Sequence, residues 1–229
     1  MNREKGLILA IDGPAGSGKS TVSRIVAEKL NYLYVDTGAM YRALTWKALH
    51  EKLDLTDEKS LVELARRTSI KLGKNRKVHV DDIDVTVDIR KPEVTKKVSH
   101  IAKVGEVREC MVALQREMGK EGGVVLEGRD IGTVVFPNAD RKIYLDAGIG
   151  ERARRRYKEL KEQGFGVNVD EIEKKLRSRD EKDKGRKVAP LRVADGAIII
   201  DTTHMNIEQV VEEILKLVPS GRAGEDRNE

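Results

Sequence analysis

The sequence predicts an α/β fold built on a mostly parallel sheet. Short apolar runs recur along the chain, and segments with a helical spacing of apolar residues separate them. Strands that alternate with helices in this way form parallel sheets. A glycine-rich turn lies between the first apolar run and the first helix. In the middle of the chain, short runs of alternating apolar and polar residues replace this succession of strands and helices. They predict a small antiparallel insertion.

The first predicted strand is the continuous apolar run 7–12, which is typical of a strand buried on both faces. A helical period follows over 19–30, and a second short strand follows at 33–36. The later elements are predicted as strands at 124–126, 143–145 and 197–200 and as an amphipathic helix at 207–218.

The insertion occupies residues 70–87, where polar turns separate short runs of alternating character. Its predicted strands are 70–72, 78–80 and 85–87. Pro92 suits the first turn of a helix, and a further amphipathic helix is predicted from Ile101 to Met118.

Composition excludes several classes of protein. Charged residues make up 36% of the 229 residues, and no run approaches the roughly 18 apolar residues that a membrane span needs. Aromatic residues make up only 3%, which argues against a groove that stacks the bases of nucleic acid. Cys110 is the single cysteine, so a disulfide within the chain is impossible, and we interpret it as core filler. We expect a cytoplasmic protein.

The positive charge is concentrated between residues 151 and 192. This block holds 15 Lys and Arg against 9 Asp and Glu, whereas the whole chain carries a net charge of +5. Such a block favours an anionic ligand: nucleic acid, membrane phosphate or a small phosphorylated substrate. Most of the arginine cluster at 152–156 is interpreted as a solvated helix face.

The glycine-rich turn fits the phosphate-binding pattern G-x-x-x-x-G-K-[ST] between a strand and a helix. Its glycines let several backbone N–H groups face a phosphate, Lys19 can reach the β- and γ-phosphates, and the Ser20 hydroxyl can ligate Mg²⁺. The predicted ATP-binding residues are Gly13, Pro14, Ala15, Gly16, Ser17, Gly18, Lys19, Ser20 and Thr21. The expected cofactor is Mg²⁺ bound together with ATP.

Three further segments narrow the class of P-loop protein. They are D-T-G-A-M-Y-R at 36–42, G-R-D-I-G-T at 128–133 and R-D-E-K-D-K-G-R at 179–186. A GTPase is expected to carry an N-K-x-D motif, and the sequence has none. The segments D-T-G-A-M-Y-R at 36–42, G-R-D-I-G-T-V-V-F-P at 128–137 and R-K-V-A-P-L at 186–191 resemble those of bacterial cytidylate kinases, and the resemblance covers about residues 6–218.

The resemblance implies a three-layer P-loop fold with a five-stranded core sheet. It implies a single kinase domain over 1–218. The tail at 219–229 has no apolar periodicity, so we expect it to be disordered. The implied parts are a core of 1–36, 119–150 and 189–218, a monophosphate-binding region with the β insertion at 37–118, and a basic lid at 151–188.

The resemblance also implies ATP-dependent phosphorylation of CMP and dCMP, and it assigns roles to residues. We expect a monomer whose partners are ATP and CMP or dCMP, and neither a membrane nor nucleic acid. The implied catalytic residues are Lys19, Arg42, Arg129 and Arg186, of which the arginines hold the monophosphate and the moving phosphoryl group. The implied CMP-binding residues are Thr37, Tyr41, Arg42, Ser99, Arg108, Arg129, Asp130, Arg179, Asp183 and Arg186. Ser99, Arg108 and Asp130 are expected to contact cytosine, and Arg179 and Asp183 the pentose or phosphates.

Some positions depart from the family pattern or leave alternatives open. Thr37 replaces a common Ser, and Lys182 and Lys184 stand where relatives often have Arg. Glu127 is a candidate for holding the water shell of Mg²⁺, although other acids also end apolar strands: Asp12, Asp146 and Asp201.

Simpler interpretations also remain open at this stage. Arg129 and Asp130 could form an ordinary loop ion pair, and Ser99 and Arg108 could be surface residues of a helix. The function could be that of a same-fold kinase with another acceptor, such as UMP, AMP or a small hydroxy acid. It could also be that of a nucleic-acid-stimulated P-loop ATPase.

Overall fold

A five-stranded sheet with the strand order β2-β6-β1-β7-β8 organises the fold. Its strands are β1 (Ile8–Asp12), β2 (Leu33–Asp36), β6 (Val124–Gly128), β7 (Arg141–Asp146) and β8 (Ile198–Asp201). The central strand β1 pairs in parallel with β6 and β7, and β7 pairs in parallel with β8. The structure is a computed structural model and describes residues 6–73, 76–162 and 164–219. The predicted disordered tail lies outside these residues apart from Pro219.

The chain divides into two units, residues 1–34 with 119–229 and residues 35–118. The first unit contains α1 (Lys19–Leu30), α6 (Ile149–Glu162), α7 (Val169–Lys184) and α8 (Ile207–Lys216). The second contains α2 (Thr37–His50), α3 (Glu58–Arg67), α4 (Pro92–Ala102) and α5 (Gly105–Gly119), of which α5 reaches the boundary. No helix among the described residues is long and apolar enough to cross a membrane.

The core of the first unit lies between the sheet and the helices α1 and α8. Leu9 and Ile11 of β1 are wholly buried, and they belong to one cluster with Val26 of α1, Ile143 of β7 and Ile214 of α8. Register places Asp12, the last residue of β1, opposite Gly128 of β6 and Tyr144 of β7. The segments that follow β1 and β6 therefore begin at the same edge of the sheet, where α/β proteins bind their ligands.

The insertion forms a three-stranded antiparallel sheet in the order β3-β4-β5. Its strands are β3 (Ile70–Leu72), β4 (Val78–Val80) and β5 (Ile83–Asp84). The predicted third strand at 85–87 is wrong, because Asp81 and Asp82 both adopt left-handed backbone angles (φ 48° and 69°). Such a two-residue turn reverses the chain at once and pairs Ile83 directly with Val80.

Two further differences concern the helices of the second unit. The helix predicted from 101 to 118 is interrupted, because α4 ends at Ala102 and α5 begins at Gly105. The break follows from a turn in which Val104 N–H donates to Ile101 O (3.2 Å), before a glycine that favours helices little. Sequence reasoning missed α3. Asp57 caps the N-terminus of this helix, because its side chain accepts hydrogen bonds from the N–H groups of Lys59 and Ser60.

Candidate nucleotide-binding site

The phosphate-binding turn runs from the end of β1 to the start of α1. Gly13, Gly16 and Gly18 have φ angles of 148°, 80° and 90°, which side-chain-bearing residues rarely adopt. A Cβ atom on Gly13 would lie 2.1 Å from the carbonyl oxygen of Leu145. Backbone angle therefore favours glycine at all three positions, and Gly13 is also required by its close approach to β7.

Lys19 folds back onto this turn. Its Nζ donates to Pro14 O (2.6 Å) and to Ser17 Oγ (3.3 Å), and the residue is only 4% exposed. Burial and, after it, the charge of Arg129 lower the pKa of Lys19 to about 7, whereas the charges of Glu127 and Asp12 oppose the shift. The site therefore holds a buried amine whose protonation responds to an arriving anion.

Asp12 anchors the segment that follows β6. Its Oδ1 accepts from Ile131 N–H (2.9 Å), and its Oδ2 accepts from Gly132 N–H (2.8 Å). Burial raises the pKa of Asp12 to about 6, although these two hydrogen bonds oppose the shift. Because the anchored residues come directly after Arg129 and Asp130, the carboxylate of Asp12 fixes the backbone that carries both.

Arg129 and Arg186 meet on one carboxylate. Arg129 Nε donates to Asp183 Oδ2 (2.9 Å), and Arg186 Nη2 donates to Asp183 Oδ1. Although burial raises the pKa of Asp183, the charges of Arg129, Arg186 and Arg179 outweigh it and hold that pKa below its ordinary value. The simple interpretation paired Arg129 with its neighbour Asp130, whereas the structure pairs it with a residue 54 positions away.

Two other predicted residues belong to the same unit. Asp130 is buried, and its backbone carbonyl accepts from the N–H groups of Val134 and Val135 in a short π-helical turn. Arg179 lies half-buried on α7, and its charge lowers the pKa of both Lys19 and Asp183. Lysine, arginine and carboxylate groups from four segments of the chain thus form one charged cluster.

Ser20 and Glu127 are the candidate metal-supporting residues. Ser20 is exposed in the first turn of α1, and Glu127 is buried near the end of β6. Tyr34 OH lies 2.8 Å from Glu127 Oε1, to which it donates, and 3.4 Å from Ser20 O. No group of three or more His, Cys, Asp or Glu side chains able to hold a metal occurs in the described ranges. A hydroxyl with one nearby carboxylate fits Mg²⁺ that takes its other ligands from phosphates and water.

The second unit carries the remaining predicted residues. Asp36 caps α2 by accepting from Ala39 N–H (2.7 Å), and its other carboxylate oxygen binds Arg42 Nη2 (3.1 Å). Thr37, the first residue of α2, is buried. The Asp36 side chain therefore both caps α2 and orients Arg42.

Arg108 packs over an aromatic ring within this unit. Its guanidinium carbon lies 5.4 Å from the centre of the Tyr41 ring, and Nη1 donates to Ala102 O (3.1 Å) at the end of α4. Only 3% of Arg108 is exposed, so the interpretation of this residue as a surface residue is wrong. Ser99 is half-buried on α4. Cys110, expected as core filler, is only partly buried.

Sequence reasoning missed four polar residues close to the phosphate-binding turn: Arg152, Arg155, Asp180 and Thr202. Arg152 is buried, ion-pairs with Asp180 and donates to Ala15 O, although its cluster was interpreted mostly as a solvated face. Arg155 donates to Oγ1 of Thr202 (3.1 Å). The available signal was the apolar spacing of α6, in which Arg152 lies next to the wholly buried Ala153.

The family model described as cytidylate kinase matches residues 9–220. The chain belongs to the cytidylate kinase family. A cytidylate kinase of Desulforamulus reducens is 52% identical over 216 residues, which cover 93% of this chain and 97% of that protein. A cytidylate kinase of Bacillus subtilis is 52% identical over 218 residues, covering 94% and 97% respectively.

A solved structure of shikimate kinase from Acinetobacter baumannii in complex with shikimate is also similar. It has 16% identity and a TM-score of 0.47, and the match covers 94% of each chain. The family assignment depends on the family model and the sequence relatives.

Proposed function

We propose that this protein transfers the γ-phosphoryl group of ATP to CMP, and to dCMP, giving ADP with CDP or dCDP. The observation that carries the proposal is the 52% identity to a cytidylate kinase over 93% of this chain and 97% of that protein. The charged cluster of the first unit supports it, because phosphoryl transfer needs mainly positioned positive charge.

On the donor side, the phosphate-binding turn holds the ATP phosphates. Its backbone N–H groups and the N-terminus of α1 bind phosphate oxygens. Lys19, which hydrogen-bonds to Pro14 O and Ser17 Oγ, turns its ammonium group to the β- and γ-phosphates. The incoming negative charge raises the pKa of this lysine, so it is protonated in the complex.

Mg²⁺ is the proposed cofactor. Ser20 supplies the ligating hydroxyl, and Glu127, oriented by Tyr34, accepts hydrogen bonds from the water around the ion. When bound, Mg²⁺ neutralises charge on the β- and γ-phosphate oxygens.

On the acceptor side, arginines hold the phosphate of CMP. Arg129 and Arg186 share Asp183, so their guanidinium groups are ordered before the substrate arrives. Arg42, which is oriented by Asp36, contributes a third positive charge to the monophosphate. No general base is required, because the phosphate of CMP is already ionised at neutral pH. The attacking oxygen then needs only alignment with the γ-phosphorus.

The base of CMP is recognised by Ser99, Arg108 and Asp130. Cytosine presents an exocyclic amino group, which an ionised carboxylate such as that of Asp130 accepts well. Arg108 donates to the O2 carbonyl. Arg179 and Asp183 contact the pentose or the phosphates. Thr37 and Tyr41 are the remaining proposed CMP-binding residues.

Water must be excluded, since ATP would otherwise be hydrolysed. The basic region 151–188 serves as the lid that closes when both nucleotides are bound. This role accounts for its local excess of positive charge without nucleic acid. We propose a monomer that acts in the cytoplasm, which sedimentation and cell fractionation would test.

The function is tested by identifying the products. Purified protein is incubated with ATP, Mg²⁺ and CMP, and ion-exchange chromatography follows CDP and ADP. We expect equal amounts of CDP and ADP, and no ADP when CMP is omitted. ADP formed only with UMP or AMP would assign another acceptor, and ADP formed only with a polynucleotide would assign an ATPase.

A further inference from the structure

Arg152 and Asp180 form a buried ion pair that none of the steps above uses. Their Nη1 and Oδ2 atoms lie 2.5 Å apart, and the two side chains are 8% and 11% exposed. Arg152 lies in the first turn of α6, and Asp180 lies in the last part of α7. The pair therefore joins the two helices of the proposed lid.

The same pair binds both backbone polar groups of Ala15 in the phosphate-binding turn. Asp180 Oδ1 accepts from Ala15 N–H (3.3 Å), and Arg152 Nη1 donates to Ala15 O (3.0 Å). Arg152 Nε also donates to Ala147 O (2.9 Å), just after β7. Because Ala15 is buried, these groups need protein partners, and the ion pair supplies them.

The contact extends through the turn to Lys19. Pro14, the residue before Ala15, accepts a hydrogen bond from Lys19 Nζ at its carbonyl oxygen (2.6 Å). Gly16, the residue after Ala15, has a φ of 80°, and a Cβ there would lie 3.3 Å from Cβ of Arg152. Glycine gives the turn wide backbone freedom, so contacts from outside the turn must restrict it.

Stability alone is a poor reason for such a pair. Taking two charges out of water costs free energy that their attraction often only offsets, and apolar side chains of similar volume often replace such pairs without loss. The position of Asp180 suggests another reason, because Asp183 lies one turn further along α7 and holds Arg129 and Arg186. Residues three apart on a helix are neighbours. On α7, Asp180, which contacts the phosphate-binding turn, therefore lies beside Asp183, which contacts the two arginines.

We propose that Arg152 and Asp180 are positioning residues for ATP. Their ion pair holds the Ala15 peptide so that the phosphate-binding turn keeps its binding conformation only while α6 and α7 are docked against it. The inference deepens the proposed function and depends on it. It predicts that loss of the pair weakens the binding of the donor ATP more than the binding of the acceptor CMP.

The test compares single and double variants in binding and in stability. Asp180→Asn keeps the shape of the side chain but removes its charge, and Arg152→Met with Asp180→Leu replaces the pair by apolar groups. Dissociation constants for ATP with Mg²⁺ and for CMP are measured separately by calorimetry, and Tm is measured by circular dichroism. We expect ATP binding to weaken at least about tenfold in both proteins while CMP binding changes by less than about threefold. The double variant also leaves the buried N–H and C=O groups of Ala15 without these partners, so we expect its Tm to fall, and the nearly unchanged CMP affinity separates a local effect on ATP binding from a general loss of the fold.

Wild-type ATP affinity in the double variant would overturn the proposal, as would equal weakening for both nucleotides. If that variant does not fold, Arg152→Lys decides the matter, because it keeps the charge but loses the forked contacts to Ala15 and Ala147. Unchanged ATP affinity in Arg152→Lys would contradict a positioning role, and weaker ATP binding at unchanged Tm would support it.

Arg177→Ala is the matched control. It breaks the exposed Arg177–Glu173 pair on α7, whose side chains are 57% and 30% exposed, and it should change neither affinity. Failure of the proposed function itself has a different signature. In that case the unchanged protein forms no CDP, whatever the variants do to ATP affinity.

Discussion

Asp183 accepts hydrogen bonds from Arg129 and from Arg186, so one buried carboxylate orders two arginines from separate segments of the chain. Arg129 follows β6, whereas Arg186 follows the end of α7. Charge-assisted bonds of this kind fix the planar guanidinium group in direction as well as in place. The arrangement gives an anion two donors whose positions are set before it binds.

Asp183→Asn tests whether this ordering matters for the acceptor. The amide keeps the shape but lacks the charge that holds both arginines, so we expect kcat/KM for CMP to fall about 10- to 100-fold, which corresponds to about 1.4–2.7 kcal/mol. Steady-state kinetics with saturating ATP measures the effect. Asp195→Asn, an exposed position in the loop before β8, is the control and should leave kcat/KM unchanged. An Asp183→Asn protein as active as the unchanged one would contradict the ordering role.

The same carboxylate makes stability depend on pH. Since the arginines hold the pKa of Asp183 below its ordinary value, the folded state favours the ionised form. The resulting stability is fully present above the unfolded pKa of about 3.9, and it is lost as the pH falls through the lower folded value. Urea unfolding of the unchanged protein and of Asp183→Asn should therefore show a difference at pH 7 that shrinks below pH 4. A difference that stays constant down to pH 3 would contradict this linkage.

ATP binding should take up a proton above neutral pH. The pKa of Lys19 is about 7, so at pH 8 this amine is mostly neutral, and the phosphates of ATP raise its pKa. Calorimetry in buffers of different ionisation enthalpy should show an uptake approaching one proton at pH 8 and much less at pH 6. Lys19→Ala should abolish both the uptake and the transfer to CMP, whereas Lys29→Ala, an exposed lysine of α1, should abolish neither. Equal uptake by the Lys19→Ala protein would assign the proton to another group.

Base choice should depend on Asp130. Uracil places a carbonyl oxygen where cytosine has its amino group, so a buried carboxylate would face an acceptor, at a cost of roughly 1–3 kcal/mol. We expect kcat/KM to be at least about tenfold higher for CMP than for UMP. Asp130→Asn should lower kcat/KM for CMP and bring the ratio of the two kcat/KM values closer to one. Arg108→Met should lower kcat/KM for CMP and for UMP by similar factors, because cytosine and uracil both carry the O2 acceptor. A ratio that Asp130→Asn leaves unchanged would mean that Asp130 does not recognise the base.

The sequence predicted best the features whose cause is local. The phosphate-binding turn is recognisable because glycine angles, a lysine and a helix start are all specified within eight residues. The parallel strands were recognisable because burial on both faces leaves continuous apolar runs, such as the run that forms β1. The errors have local causes too: Asp81 and Asp82 adopt left-handed angles that the pattern of residue types did not indicate.

Contacts between distant segments could not be predicted in this way. Asp180 and Ala15 are 165 positions apart, and nothing in either local sequence indicates the hydrogen bond between them. Arg152 lies in a charged run that resembles a solvated helix face, and only the fold shows that it is buried. The family resemblance supplied Arg129, Asp183 and Arg186 as site residues, and the geometry adds that they form one cluster.

The most direct test of the account is a coupled assay of ADP release with different acceptors. The protein is assayed with ATP and Mg²⁺ alone, and then with CMP, dCMP, UMP, AMP or a polynucleotide at equal concentration. The account predicts the highest kcat/KM with CMP or dCMP, at least about tenfold lower values with UMP, and negligible release with ATP alone or with polynucleotide. ADP release that needs no monophosphate, or that is fastest with UMP or AMP, would contradict it.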